Sequence, residues 1–282
     1  MAFTIPRQPH RQGRPFPRGG GRSYLAGQGL IADWPMWEGN GGSTSFVRSG
    51  EIAIPIANAV WGAGRIGLGM QGTGTDTDFF RIPDSEVSTG LRQQLPLSVE
   101  VVFEQFSAPT TGQGSAIWQN HSRTIAYAGM KIGVFPGTLI PHLLLGDNSG
   151  ASSADRKSWF GSTAIQDDTI YHAIFSVGGF GAADAEIFIN GLVETMSDTG
   201  TGSSLGYSSA GNGVTFCGGE APNYEGFDGR VYSLKYFNRR IFATEAKMRA
   251  NRLFTDIYAI NYPVPGKPTV GGRLSSRLRR TA

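Results

Sequence analysis

The chain has 282 residues, of which 39% are hydrophobic, and it contains 41 glycines and 15 prolines. This composition predicts many short strands joined by turns, with enough apolar side chains to fill a sandwich core. No run of about 18 apolar residues is present, and no apolar segment follows the N-terminal arginines, so we expect neither a membrane span nor a secretory signal. The single cysteine, Cys217, excludes an internal disulfide and a cysteine-based zinc site.

The formal net charge of +3 conceals a difference between the ends of the chain and its middle. Residues 1–23 contain five arginines and no acid, and residues 266–282 contain five basic residues and no acid. These ten residues leave 15 basic against 22 acidic side chains elsewhere, a net charge of −7. Basic segments of this kind bind acidic surfaces, and we predict that their side chains contact a partner. They are Arg7, Arg11, Arg14, Arg18, Arg22, Lys267, Arg273, Arg277, Arg279 and Arg280.

The chain is predicted to divide into three parts. Residues 1–28 are too rich in Pro, Gly and Arg to form a core, and their prolines hold the backbone extended, so this part is predicted to be an extended basic arm. Residues 29–258 carry the apolar runs of one globular domain. Residues 259–282 contain three prolines that interrupt any helix, and we predict a second extended basic arm.

Short apolar runs between residues 52 and 145 predict a series of strands. The run from Leu97 to Phe106 alternates, with apolar residues on one face and Glu100 and Glu104 on the other. We expect these two acids to form a solvent-exposed charged strip. Trp159 follows in a segment that we interpret as a loop.

The later part of the domain predicts a hairpin, a strand and a helix. Asn190-Gly191 is a strong hairpin signal, because both residues accept the positive φ of a type I′ turn. Asp228-Gly229 is predicted to form a turn into a strand in which alternate residues face opposite sides. We predict a helix with Thr244 as its cap and Glu245 in its first turn, where an acid favours the helix dipole.

The order of these motifs resembles that of a known family. The stretch from Phe227 to Glu245, the Asn190-Gly191 hairpin and the paired Trp34 and Trp37 resemble laminin-G-like, concanavalin-A-like domains over roughly residues 29–258. The resemblance implies an all-β fold: a two-sheet antiparallel jelly-roll sandwich with one short C-terminal helix, flanked here by the basic arms. The whole chain is similar to laminin-G-like proteins of tailed-phage particles, some of which begin with a basic segment containing Arg-Gln-Pro, as at residues 7–9.

Catalysis is not expected, and we assign no catalytic residue. Glucanases of this fold use Glu-x-Asp-x-x-Glu, which brings two carboxyl groups to about 5 Å. Glu100 and Glu104 lack the middle Asp, and four residues of a strand span roughly 13 Å. The sequence contains no Gly-x-Ser-x-Gly elbow, and its four histidines show no metal-binding pattern.

Two kinds of binding site remain to be weighed. Laminin-G-like domains often bind Ca²⁺ through oxygen ligands, but no ordered ligand set is recognisable here, so we predict no metal or cofactor and keep Ca²⁺ only as a minor alternative. Sugar sites of such domains use an exposed aromatic side chain, for which Trp159 is the best candidate in this sequence. The oxygen donors considered are Asp76, Asp78, Asp147, Asn148, Asp167 and Asp168, and the other loop aromatics are Trp118, Phe160, Tyr207 and Tyr224.

The resemblance and the basic arms together favour a non-enzymatic structural protein of a phage-like virion, made in the host cytoplasm. We predict that it decorates or cements a capsid, with the arms bound to capsid, portal or tail proteins and to copies of itself. Nucleic acid is disfavoured as a partner because the arms hold few aromatic residues and the body is acidic. The alternative is a carbohydrate-binding module of a phage head or tail fibre.

Overall fold

The computed structural model describes residues 28–36, 42–44, 52–75, 77–87, 89–108, 114–120, 126–207, 213–218 and 226–261. For residues 43–44 and 253–261 it describes the backbone only. These residues form antiparallel strands and one α-helix. The bounds are β1 (Leu30–Trp34), β2 (Ser43–Thr44), β3 (Ile52–Pro55), β4 (Val60–Gly64), β5 (Gly67–Thr73), β6 (Phe80–Ile82), β7 (Leu97–Gln105), β8 (Ser115–Gln119), β9 (Ala128–Val134), β10 (Pro141–Asp147), β11 (Arg156–Phe160), β12 (Thr169–Val177), β13 (Ala185–Ile189), β14 (Leu192–Val193), β15 (Ser197–Thr199), β16 (Val214–Phe216), β17 (Asp228–Phe237) and α1 (Ala243–Asn261).

Two sheets pack against each other as a sandwich, which confirms the predicted fold class. The eight-stranded sheet has the order β14-β13-β12-β7-β17-β5-β4, with β1 also paired to β17. The nine-stranded sheet has the order β15-β11-β10-β9-β8-β16-β6-β3-β2. One apolar core cluster joins the inner faces of both sheets and contains the fully buried Trp34, Trp118 and Trp159.

The predicted core face of β7 is confirmed, but β17 differs from its prediction. Asp228 and Gly229 do not form a turn; they lie inside β17 and pair with Thr73 and Gly72 of β5. A bulge between Val231 and Ser233 then shifts the register against β7. Strict alternation would place Val231 on the opposite face from Leu234, and the extra residue of the bulge instead puts both in the core.

The hairpin and the helix agree closely with the sequence. Asn190 and Gly191 connect β13 and β14 with φ of 52° and 82°, as a type I′ turn requires. Helix α1 begins at Ala243, so Thr244 and Glu245 both lie in its first turn and Thr244 is not the cap. Ala246 faces a small apolar cluster on the outer face of the eight-stranded sheet. No helix in the described ranges is long and apolar enough to cross a membrane.

The expectation of a solvent-exposed acidic strip on β7 is wrong, because Glu100 and Glu104 are both buried. Glu104 accepts hydrogen bonds from Tyr232 Oη at 2.5 Å and Arg230 Nη1 at 3.4 Å, both on the neighbouring β17. The outer face of this sheet is therefore covered, and each acid has a cationic partner there.

Glu100 lies at the point where α1 meets the sheet. His172 Nε2 of β12 is 2.9 Å from Glu100 Oε1, and Arg249 Nη1 of α1 donates to Oε2 at 2.7 Å. Burial raises the pKa of Glu100, but the hydrogen bond from His172 and the positive charges of Lys235 and Arg249 outweigh it and lower the pKa to about 2. The charged carboxylate thus fastens the helix to the sheet.

Replacing Glu100 by Gln is expected to lower the free energy of unfolding by about 3 kcal/mol near neutral pH, because the charged form of Glu100 is favoured in the folded state. A depressed pKa contributes stability above the unfolded value of 4.5, and this contribution is lost as pH falls toward 2. Urea denaturation across this pH range should show a shallower acid dependence for Glu100→Gln than for the unmodified protein. Equal acid dependence would contradict the assignment.

A matched control is Asp198→Asn, which removes a carboxylate from the partly exposed ion pair with Lys157 on the nine-stranded sheet. Partly exposed pairs contribute little, so this variant should lose less than about 1 kcal/mol.

Candidate functional site

A cavity of about 740 Å³ lies at one end of the eight-stranded sheet, beside the beginning of α1. We call it the Phe242 cavity. Its apolar wall consists of Pro96, which precedes β7, together with Phe242 and Met248. Four charged side chains complete the wall: Asp184, Arg239, Arg240 and Glu245. A concave site with apolar walls and a few polar groups is the usual form of a small-ligand site.

The turn between β17 and α1 places Phe242 in this cavity. The Ser98 hydroxyl of β7 donates to the carbonyl oxygen of Arg239 at 2.7 Å and accepts from the backbone N–H of Ile241 at 3.1 Å. The Ser176 hydroxyl of β12 also accepts from that N–H at 3.1 Å. These bonds fix the turn and direct the Ile241 side chain into the apolar cluster beneath α1. The next residue, Phe242, is left outside the cluster.

Phe242 is 57% exposed, and among the aromatic residues whose side chains the structure describes it is the only one that is largely exposed. The Arg240 guanidinium carbon lies 5.2 Å from the centre of the Phe242 ring. Met248, one turn into α1, is 42% exposed on the same wall. Exposed apolar groups clustered on a cavity wall characterise binding sites more than single exposed residues do.

Ion pairs hold the charged part of the wall in place. Arg239 binds Glu245 through two hydrogen bonds, Nη1 to Oε2 at 2.8 Å and Nη2 to Oε1 at 2.6 Å. Arg240 Nη2 donates to Glu186 Oε2 at 2.9 Å. Paired guanidinium and carboxylate groups of this kind keep a fixed geometry for a ligand.

Glu245 is linked in turn to the buried network under α1. Arg249 Nε donates to Glu245 Oε1 at 2.8 Å, and the same arginine reaches Glu100. Burial raises the pKa of Glu245, but the hydrogen bonds from Arg239 and Arg249 outweigh this and lower the pKa below its ordinary value. The carboxylate is therefore negatively charged at neutral pH.

This arrangement suits a ring that has one apolar face and hydroxyl groups at its edge. The Phe242 ring offers an apolar surface on which such a face can stack. Carboxylates accept hydrogen bonds from hydroxyl groups, and guanidinium groups donate to hydroxyl oxygens. The cavity thus has the chemical groups that a sugar needs.

Trp159, the sequence-based candidate for a sugar platform, is a core residue instead. It lies in β11, where it pairs with Leu143 of β10 and Asp198 of β15, and its side chain is fully buried in the main cluster. A fully buried indole that faces the core between the two sheets offers no face to a ligand. The candidate assignment of Trp159 to glycan binding is therefore wrong.

Trp159→Ala is expected to lower the free energy of unfolding by about 3 to 5 kcal/mol, because it would leave a cavity in a packed core. Thermal or urea denaturation measures this loss directly. The control is Val193→Ala, at a position that is 58% exposed and should change stability little. A stable Trp159→Ala protein would contradict the core assignment.

The other sequence-predicted residues are distributed as follows. Trp118 is fully buried, and Phe160 is half-buried with its ring stacked on His142 at 4.7 Å. Tyr207 is half-buried and its hydroxyl donates to the Gln93 carbonyl oxygen at 2.9 Å. Tyr224 and all ten basic residues of the two arms lie outside the described residues. The structure therefore brings none of Trp118, Phe160 and Tyr207 to the Phe242 cavity.

Three of the oxygen donors proposed for Ca²⁺ accept hydrogen bonds from other side chains of the protein. Asp78 accepts from Thr73 Oγ1 at 2.5 Å, which lowers the pKa of Asp78, and Asp147 Oδ1 accepts from the Ser149 hydroxyl at 2.6 Å. Asp167 accepts from a side-chain amide on β7. Within the described ranges no three His, Cys, Asp or Glu side chains are grouped to hold a metal ion. Of the remaining candidates, Asp76 is outside the described residues, and Asn148 and Asp168 adopt positive φ.

Sequence reasoning missed Phe242, although the sequence contains a signal for it. Ile241 and Phe242 are adjacent bulky apolar residues at the entry to a helix. Successive side chains in an extended segment point in opposite directions, so both cannot face the same core. One of the two must be exposed, but only the fold shows which one and what surrounds it.

Comparison with known proteins shows similarity in fold alone. No protein-family model and no curated protein sequence matches the chain. One solved structure that it resembles is that of botulinum neurotoxin type C, a toxin whose entry into cells depends on interaction with two ganglioside molecules. The TM-score of this match is 0.56, and the sequence identity is 11%. This match covers 80% of the present chain and 51% of the toxin chain.

Two other similar structures are Trypanosoma rangeli sialidase in complex with sialic acid and domain 4 of AbnA, a GH43 arabinanase of Geobacillus stearothermophilus, in complex with arabinotriose. The sialidase match has a TM-score of 0.53 and 12% identity, and covers 81% of this chain but 33% of the sialidase. The arabinanase domain match has a TM-score of 0.50 and 13% identity, and covers 78% of this chain and 98% of the domain. The chain thus spans about half of the toxin chain and a third of the sialidase. The protein has the β-sandwich fold of these carbohydrate-binding structures.

Proposed function

We propose that this protein is a non-enzymatic carbohydrate-binding module whose ligand occupies the Phe242 cavity. The observation that carries the proposal is the exposed ring of Phe242 on a cavity wall that also contains carboxylate and guanidinium groups. The ring stacks on the apolar face of a sugar, and the polar groups bond its hydroxyls.

The solved structures of similar fold support this proposal at the level of architecture. They include a botulinum neurotoxin whose cell entry depends on gangliosides, an arabinanase domain in complex with arabinotriose and a sialidase in complex with sialic acid. Proteins that contain similar sandwiches thus bind sugars, but the residues of the present site come from this chain alone.

The geometry of the acids argues against a glycosidase. A retaining glycosidase needs two carboxyl groups about 5 Å apart and facing a substrate cleft. Glu100 and Glu104 are buried, and each is bonded to its own partners on β12, β17 or α1. Neither carboxylate is exposed to a substrate.

Replacing Phe242 by Ala is expected to weaken sugar binding by roughly tenfold or more, because the stacking surface is removed. A glycan array identifies the ligand, and titration calorimetry measures its affinity for the variant and the unmodified protein. The exposed position of Phe242 predicts an unchanged fold, which circular dichroism checks.

The matched control is Leu192→Ala, which removes a large side chain that is 68% exposed and does not line the cavity. This variant should bind with unchanged affinity. A blank array with a folded protein, or equal losses in both variants, would count against the proposal.

The basic arms favour a second candidate, a structural protein of a phage-like virion. The observation is the concentration of ten basic residues, without an acid, at the two ends of an otherwise acidic chain. Such arms bind acidic surfaces of capsid, portal or tail proteins, or of another copy of this chain. A glycan-binding sandwich and a pair of anchoring arms are compatible in one protein.

Removing residues 1–23 should abolish association with the particle while the sandwich stays folded. Co-sedimentation with purified particles measures the association, and it should weaken as salt rises, because exposed charges are screened. Full association of the truncated protein would rule out anchoring by the N-terminal arm.

A further inference from the structure

We infer that the Phe242 cavity selects neutral sugars over acidic ones, and that the ion pair between Arg240 and Glu186 sets this selectivity. The inference rests on the proposed function, since it concerns the ligand of the same cavity. By analogy with the sialidase of similar fold in complex with sialic acid, one would expect the cavity to bind an acidic sugar. The opposite preference follows from how the two cavity arginines are paired.

Arg239 is fully engaged by the protein itself. Both of its Nη atoms bind the Glu245 carboxylate, and its Nε donates to the Gln28 carbonyl oxygen at 2.6 Å. A ligand carboxylate that approached Arg239 would have to displace Glu245. That exchange has no electrostatic gain, because one carboxylate replaces another.

Arg240 is paired with a protein carboxylate as well, that of Glu186. Its Nη2 atom donates to Glu186 Oε2 at 2.9 Å, and its aliphatic stem lies against Gly178, where an added Cβ would come within 2.8 Å of Arg240 Cδ. The guanidinium carbon also lies 5.2 Å from the centre of the Phe242 ring. The arginine is thus positioned beside the stacking surface with its charge already compensated.

Asp184 adds a further negative charge to the wall. Its Oδ2 atom accepts from the backbone N–H of Gly181 at 2.8 Å. Within the described residues this is the only hydrogen bond of the Asp184 carboxylate, so Oδ1 retains its capacity to accept from a ligand hydroxyl.

The two cavity arginines therefore stand against three carboxylates, Asp184, Glu186 and Glu245. Arg249 also binds Glu245, but it is matched by Glu100, so the connected group carries a net charge of −1. An acidic sugar must bring its carboxylate next to these groups, where like charges repel and no uncompensated cation receives it. A neutral sugar meets no such repulsion. Its hydroxyl groups donate to Asp184 and accept from Arg240 without disturbing either ion pair.

The test uses a printed array of neutral oligosaccharides, each paired with its terminally sialylated form. The unmodified protein should bind the neutral member of a pair at least about tenfold more tightly, as measured by calorimetry on the best pair. Phe242→Ala should weaken binding of the sugar by roughly tenfold or more, which assigns the binding to this cavity.

Glu186→Gln is the decisive variant. It leaves a neutral hydrogen-bond acceptor beside Arg240 but removes the compensating charge, so the cluster becomes net neutral and Arg240 becomes able to receive a carboxylate. The ratio of neutral to sialylated affinity should fall roughly tenfold, while the affinity for the neutral sugar changes little. A merely structural role of Glu186 would lower both affinities together.

Asp198→Asn is the matched control, because Asp198 also belongs to a partly exposed ion pair and its side chain is 29% exposed, against 30% for Glu186. It should leave the ratio unchanged. If the protein instead prefers sialylated sugars, and Phe242→Ala removes that binding, this inference is overturned while the proposed function stands. A ratio unaffected by Glu186→Gln would also overturn it, and an array without binding would overturn both proposals.

Discussion

The buried carboxylate of Glu100 is the contact on which the arrangement of the outer sheet face depends. It holds His172 of the sheet and Arg249 of α1 at hydrogen-bond distance, and Arg249 also binds Glu245. Glu245 then binds Arg239 in the wall of the Phe242 cavity. One chain of charge-assisted hydrogen bonds thus runs from the middle of the sheet to the candidate site. A buried carboxylate is costly without partners, and here the partners are the elements that must be held together.

This network explains why the cavity wall is built from charges and still keeps a fixed shape. Each acid in the chain is bonded to more than one donor, so no side chain in it is free to change rotamer without breaking several bonds. The serine hydroxyls of β7 and β12 fix the backbone of the same turn. Rigid support of this kind allows an exposed ring to act as a binding surface, because little entropy is lost when a ligand stacks on it.

Much of the sandwich is readable from the sequence because alternation and turn chemistry are local. The Leu97–Phe103 face and the Asn190-Gly191 turn are determined by neighbouring residues, and the structure confirms both. The environment of Glu100 is not local, since its partners lie 72 and 149 residues away, and no pattern around β7 shows that a helix covers its outer face. The bulge in β17 is equally hidden, because one extra residue reverses the predicted faces without changing the composition.

The candidate site shows the same limit more sharply. The sequence predicts a loop-like segment at Trp159, yet Trp159 belongs to β11, a strand next to the edge of its sheet, and its side chain points inward. No role is predicted for Phe242 from the sequence, because its exposure depends on the two serines that fix the turn and direct Ile241 toward the sheet. Side chains that form a site are brought together by long-range packing, which a single sequence leaves undetermined.

The position of β17 in its sheet has a consequence for how the protein folds. Strand β17 (residues 228–237) occupies a central place in the eight-stranded sheet and is hydrogen-bonded to β1, β5 and β7. It is nevertheless the last of the described strands along the chain. During synthesis the partners of β17 therefore emerge with an open gap between β5 and β7, and their edges stay unpaired until this strand is inserted. The sheet depends on contacts between segments that are distant in sequence, and such contacts slow folding. Until β17 is inserted, the unpaired strand edges of the incomplete chain are prone to aggregation.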